Sequence, residues 1–321
     1  MKLPSNSFAM RLSLAIALAC ACGLVQAQDA SALNVDEESQ SEAMIGTSGK
    51  LLLTGGVTQI EGSAGGGLTP WAVIGGYGTR DQIGGNAYYT NVSVDDYGLQ
   101  SYGVLAGLFD RVELSLSRQS FDTKQVGEAL GLGRGFTVRQ DTYGVKVKLF
   151  GDVVLEQDSW LPQVSIGAQH KRNAEGAVLA AIGARDDNGT DFYISATKLY
   201  LAQGLLLNGT VRFTQANQFG ILGFGGDKHD GRKAQLELSA AYLLSRNLVF
   251  GVEYRTKPDN LSIATEDTAF ALFVAWAPLK KVSLTVDYAD LGPILLRVHQ
   301  RGLYPSLQFG FWSPLHATTT P

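Results

Sequence analysis

Cysteine is nearly absent from this chain of 321 residues, with Cys20 and Cys22 its sole examples. Both lie in a start that carries Lys2 and Arg11, an apolar run from Leu12 to Val25 and the triplet Val25-Gln26-Ala27. That is the layout of a secretory signal at 1–27, cut after Ala27. The run is short for a membrane span of about 20 residues. A chain cut there has no thiol, which excludes a disulfide framework, a thiolate metal site and a cysteine nucleophile. Lipid attachment at either cysteine lacks the leucine-small-small triplet in front of it. An excess of basic charge is also missing. There are 26 Lys and Arg against 30 Asp and Glu, a formal charge of −4 that becomes −6 once Lys2 and Arg11 are removed. An acidic exported chain has no basic footprint for phosphates, so nucleic acid is excluded as a partner. Proline is scarce, at 9 residues. After the signal no apolar run is long enough for a membrane helix.

Glycine is plentiful, at 38 residues, and mean hydropathy is near zero. Residues 28–48, with Asp36, Glu37, Glu38 and Glu42, read as a polar, flexible periplasmic leader. Beyond Leu51 helical periodicity is missing and alternation with period two dominates. In GLFDRVELSLSRQSF (107–121), Val112, Leu114 and Leu116 alternate with Glu113, Ser115 and Ser117. The same pattern recurs around Tyr143–Leu149, Leu236–Leu244, Leu248–Tyr254 and Val282–Tyr288.

The alternation predicts eleven strands at 97–108, 112–121, 137–150, 161–171, 191–200, 205–215, 234–244, 248–257, 268–277, 282–289 and 303–312. A twelfth is expected at 69–78, with 85–94 extending the second strand beyond the membrane. Connections alternate between short (110–111, 151–160, 201–204, 245–247, 278–281) and long (122–136, 172–190, 216–233, 258–267, 290–302). That rhythm is the one outer-membrane barrels have, with tight turns on the periplasmic side. A bilayer admits strands only in a closed barrel, because every backbone polar group needs an internal partner. The expected fold is therefore all-β: a transmembrane antiparallel β-barrel of about 12 strands within 49–312, followed by a periplasmic tail at 313–321. Residues 49–67, rich in glycine, form either a further strand or a plug in the lumen. Phe109, Phe150, Trp160, Tyr200, Trp276 and Trp312 are expected in interfacial girdles.

The polar faces place Lys146, Lys148, Arg212 and Arg255 in the lumen together with Glu113, Glu237, Glu253 and Asp287. Opposite charges on neighbouring strands offset one another. Glu113 and Lys148 are expected at one level, Arg212 and Glu237 at another. The network either stabilises the barrel or sets which solute enters. Candidate chemistry is thin. Three of the four histidines, His229, His299 and His316, fall in loops or the tail, and His170 ends a strand on the lipid side. With no serine in a recognisable elbow, no catalytic residue is assigned and an enzyme is not expected. Residues 185–191 resemble part of a calcium loop without its last glutamate, and 131–135 lacks the strand that a dinucleotide site needs. No cofactor or metal is expected.

LLLTGGVTQIEGSAGGGLTPWAVIGGYGT (51–79), YGVLAGLFDRVELSLSRQSFDT (102–123), YRTKPDNL (254–261) and AWAPLKKVSLTVDYADLG (275–292) carry a resemblance over nearly the whole mature chain. They resemble a proteobacterial family, domain of unknown function 3034. The resemblance implies an outer-membrane-type barrel and transfers no activity to any residue. Tyr304, Leu307, Phe309 and Phe311 are similar to the assembly signal of such barrels, although nine residues follow Trp312. The expected function is a narrow polar channel or small-solute uptake in the outer membrane of a Gram-negative bacterium. The alternatives are a structural or surface-interaction barrel with a blocked lumen and, third, an outer-membrane hydrolase. Expected partners are outer-membrane lipid, periplasmic chaperones, the barrel assembly machinery and a small solute.

Overall fold

The computed structural model describes residues 50, 52–53 and 55–314, with the side chains of 313 and 314 left out. The signal, leader and tail lie outside the described residues. Twelve antiparallel strands close on themselves: β3 (Gln82–Val94), β4 (Gly98–Leu108), β5 (Val112–Asp122), β6 (Thr137–Phe150), β7 (Gln163–Asn173), β8 (Asn188–Tyr200), β9 (Leu205–Thr214), β10 (Lys233–Ser245), β11 (Leu248–Arg255), β12 (Ala269–Leu279), β13 (Val282–Asp290) and β14 (Arg301–Pro314). β14 seals the wall against β3 from Gly302↔Val94 to Pro314↔Gln82. Each strand pairs with its sequence neighbour, so the chain meanders once around. Most tight turns gather at one end, with the longer 151–162 connection, and the long loops at the other, with the short turn at 95–97. Two short helices, α1 (Val126–Ala129) and α2 (Gly176–Ala181), decorate the loop end.

The orientation of the faces follows the alternation. Val145, Leu238 and Phe250 are 41, 42 and 42% exposed, whereas Lys146, Glu237 and Glu253 are 1, 0 and 1% exposed. Apolar side chains face outward and charged ones inward, the reverse of a soluble sandwich. Phe109, Phe150, Trp160 and Tyr200 are exposed near the tight-turn end, and Trp276 is half-buried there. Trp312 departs from the girdle. It shares the inward parity of Ser306 and Gln308 and meets Tyr77 with ring centroids 5.9 Å apart.

The expected strand at 69–78 does not exist. Its residues lie inside the barrel: Trp71, Val73 and Ile74 are all buried, whereas a lipid-spanning strand exposes every second side chain. The twelfth strand is β3, so 85–94 extends nothing; it is wall. Its outward face is thin, because Gly85 has no side chain and the Phe311 ring of β14 covers the gap. Among the described residues the barrel is a wall from Gln82 to Pro314 around an inner segment described from Lys50 onward. That inner segment carries the hairpin β1 (Val57–Thr58) and β2 (Ala64–Gly65). Gly62 makes the turn at φ +94, where a side chain is strained.

Candidate functional site: a filled, ion-paired lumen

The inner segment is held at several levels. Towards the tight-turn end, Glu113 faces Lys146 across the β5–β6 register, 3.1 Å apart. Glu113 accepts hydrogen bonds from Ser63 Oγ at 2.9 Å and from the N–H groups of Ala64 (3.1 Å) and Gly75 (2.8 Å). Lys146 donates to the carbonyls of Ala64 and Val73, both at 2.9 Å. One wall pair thus satisfies five groups of the segment, in a place where an unpaired polar group is costly. The expected partner Lys148 lies one pleat lower, at the mouth. There it pairs with Asp110, with Asp152 at 3.8 Å, while Lys50 also holds Asp110 at 2.6 Å. Burial works to raise the Asp152 carboxyl, but the N–H groups of Leu155 and Val154 and the Lys148 ammonium outweigh it and hold the carboxyl below its usual range.

Midway, Glu253 accepts the N–H groups of Leu68 (2.8 Å) and Thr69 (3.2 Å) and the Thr69 hydroxyl (2.6 Å). Asp287 lies nearby against Gly67. These two carboxylates explain the Gly66-Gly67 pair. A Cβ on Gly66 would overlap Glu253, and one on Gly67 would overlap Asp287. Glu253 cannot swing away without losing three donors. Replacing both glycines with alanine should therefore weaken the seating of the segment by roughly 1–3 kcal/mol per site. Amide hydrogen exchange over 55–79 should speed up while the wall strands keep their protection.

Towards the loop end, three cations and three anions meet. Glu61 of the inner segment is fully buried and bonds Lys171, Arg255 (2.7 Å) and Arg212 (3.7 Å). Arg212 also reaches Glu237 at 2.5 Å and Asp191 at 3.5 Å; Arg255 reaches Glu237 at 3.2 Å; Lys171 reaches Asp191 at 2.7 Å. Arg212 lies over the Tyr193 ring at 5.1 Å and Arg255 over Phe219 at 4.2 Å. Phe219 belongs to a loop that folds inward with Ile221 and Leu222 and packs with Ile60, Leu68, Tyr97 and Ile294 into an apolar cap. A second apolar layer of Leu53, Val57, Trp71, Leu199, Leu206 and Phe273 lies nearer the turns. Cavities of about 20 Å³ in each layer leave room for about one water and none for a solute. At the mouth, where the segment enters, a cavity of about 320 Å³ opens among Lys50, Arg80, Asp110 and Asp152.

All eight lumen residues expected from the sequence are buried inside the wall: Glu113, Lys146, Lys148, Arg212, Glu237, Glu253, Arg255 and Asp287. The Arg212–Glu237 pair forms as expected, and the Glu113–Lys148 pair does not. Three partners escaped sequence reasoning. Lys171 and Asp191 share the inward parity of Gln169 and Tyr193, so alternation could have found them. Glu61 has no periodic context; its one signal is being the only charged residue between Lys50 and Arg80. Among the described residues no cluster of three or more His, Cys, Asp or Glu forms a metal site. Asp191 of the calcium-like run points at Lys171 instead.

The family model described as Protein of unknown function (DUF3034) matches residues 54–308. No curated protein matches the chain. Among solved structures the chain is similar to a KdgM porin in complex with disordered oligogalacturonate, at 8% identity and a TM-score of 0.45 over 70% of this chain and 99% of that one. It is also similar to an outer membrane channel from Pseudomonas putida F1, at 13% identity and 0.43 over 77% and 97%. Outer membrane phospholipase A from Escherichia coli matches at 11% and 0.38 over 74% and 94%.

Proposed function

The chain belongs to the DUF3034 family of outer-membrane-type barrels, and from that premise we propose that it is a gated channel of the Gram-negative outer membrane. Its own N-terminal segment closes it, and a small polar solute passes when that segment moves. The tight turns then face the periplasm. Lipid surrounds the wall, and periplasmic chaperones and the assembly machinery deliver the chain. This reading assigns no catalytic residue; His170, His229 and His299 are exposed.

One observation carries the proposal: behind the segment the wall is polar. Ser101, Ser117, Gln119, Thr142, Ser165 and Thr210 are buried against it. A wall meant only to enclose a permanent filler does best with apolar packing, because each buried polar group needs a partner. Ser101 and Gln119 donate to the Ile60 carbonyl, Ser165 to that of Ala72 and Thr210 to that of Pro70, hydrogen bonds that water can replace. Ser117 and Thr142 are buried there without a hydrogen-bond partner among the described residues. Lumen charges of both signs set what enters. The Glu61 cluster favours a second reading, a structural barrel whose lumen stays filled, because three cations grip one carboxylate.

A reversible lock separates the two. Thr69 Oγ1 lies 2.5 Å from Ser239 Oγ, joining the segment to β10. Thr69→Cys with Ser239→Cys places two thiols in a chain that has no other cysteine after Ala27. In planar bilayers the unmodified protein should show conductance steps. The oxidised variant should be silent, and dithiothreitol should restore the steps. Silence of both the unmodified protein and the reduced variant would sink the channel and leave the filled barrel standing.

A further inference from the structure

On the lipid-facing side of β6 to β9 a hollow of about 390 Å³ is lined by Val145, Val147, Ile166, Ala168, Phe192 and Phe213. It arises from register. Ala168 pairs with Val145 on one side and Phe192 on the other, so a methyl group stands between large side chains. Gly167 beside it belongs to the inward face, where the Tyr193 ring packs against it. Hydrocarbon that leaves such a hollow empty forfeits dispersion contacts along every wall.

The groups above the hollow are cationic. One register step towards the loop end, His170 pairs with Thr190, and its Nδ1 lies 3.0 Å from Thr190 Oγ1. Arg232 Nε donates to the Thr190 carbonyl at 3.3 Å, and its guanidinium stands 5.6 Å from the Phe192 ring centroid, over the wall of the hollow itself. A further step up, Arg172 is exposed on β7 opposite Asp141. That carboxylate is taken by Arg118 at 2.6 Å, and Arg139 is matched by Glu175 at 3.0 Å. Among the described residues neither Arg172 nor Arg232 has a carboxylate within the 4.0 Å of an ion pair. Arg172 acts on Asp141 only from beyond that distance, so both arginines keep guanidinium donors for a further anion just where the apolar hollow ends.

We infer that this face binds one outer-leaflet lipid whose headgroup carries a phosphate. An acyl chain fills the hollow beside Ala168, and the phosphate sits between Arg172 and Arg232, whose forked guanidinium groups suit it. The inference rests on the outer-membrane reading above, which places these arginines in the outer headgroup layer.

The test uses the full chain refolded in detergent micelles. It is titrated with bis-phosphorylated lipid A, with its dephosphorylated form and with inorganic phosphate, and the bound mass is read by native mass spectrometry. One phosphorylated lipid should be retained. Arg172→Gln with Arg232→Gln should weaken retention on the order of tenfold or more. Ala168→Phe, which fills the hollow and keeps both arginines, should weaken it to a similar extent. Inorganic phosphate should not compete. Retention unchanged in both variants overturns the inference. So does a loss confined to the arginine variant with free phosphate competing, since that describes an anion site without a chain. Heat-resistant gel mobility and bilayer conductance are read on the same samples. A barrel that conducts and retains no lipid therefore overturns this inference and leaves the channel standing.

Discussion

Glu61→Ala is expected to release the inner segment from the lumen while the wall of the barrel persists. The variant leaves Lys171, Arg212 and Arg255 facing only Asp191 and Glu237, so one buried positive charge loses its partner. Breaking a buried pair from one side costs about 3–5 kcal/mol, far more than an exposed pair. That cost falls on the closed arrangement alone, because the twelve strands pair through backbone groups that Glu61 does not touch. Water entering from the loop end would rehydrate the three cations. The displaced state should therefore gain a hundredfold or more in population at about 1.4 kcal/mol per tenfold. Amide exchange over 55–79 should accelerate by that factor, while β5 and β10 stay protected and the folded gel mobility is kept. Glu61→Gln, which keeps the shape, should give a smaller effect in the same direction. Unchanged protection in Glu61→Ala would mean that the segment is held by its apolar layers, and the gate would then not be ionic.

The wall was legible because lipid and lumen impose opposite demands on successive residues. Val112, Leu114 and Leu116 against Glu113, Ser115 and Ser117 can be satisfied only by a strand with two solvents. β3 was hidden for a physical reason. Its outward face interrupts Ile83 and Tyr89 with Gly85, Ala87 and Asn91, and Phe311 of β14 covers the gap at Gly85. No single-strand pattern contains that loan. The run TPWAVIGG, by contrast, mimicked a strand because the inside of a filled barrel is also dry. Trp71, Val73 and Ile74 are buried by the wall and not by lipid. The lumen charges were legible by parity, but their pairing was not. Parity gives the face; the level depends on register, and strand tilt shifts level from one strand to the next. Glu113 meets Lys146 and not Lys148 for that reason. Glu61 sits in a segment with no period at all, so its position follows only from the closed barrel around it.

That one-pleat distinction leads to the second large effect. Lys146→Met should unseat the segment, whereas Lys148→Met, two residues away on the same face, should disturb it less. Lys146 is 1% exposed and serves the Ala64 and Val73 carbonyls as well as Glu113. Methionine preserves most of the volume, so the loss is electrostatic. Glu113 keeps three donors from the segment but no cation, and two buried carbonyls lose theirs. Several kcal/mol follow from the orphaned carboxylate and carbonyls together. Lys148 is also buried, near the mouth, but its two carboxylate partners do not depend on it alone. Asp110 retains Lys50 at 2.6 Å, and Asp152 retains the N–H groups of Val154 and Leu155 at 3.0 and 2.9 Å. The loss of Lys148 should therefore cost less than that of Lys146, because each carboxylate it leaves keeps another partner. Protease nicking within 50–81 at fixed protease concentration measures the difference. Lys146→Met should be cut at least tenfold faster than Lys148→Met, with both barrels still folded by gel mobility. Equal rates would place the grip on the segment elsewhere than the Glu113–Lys146 pair.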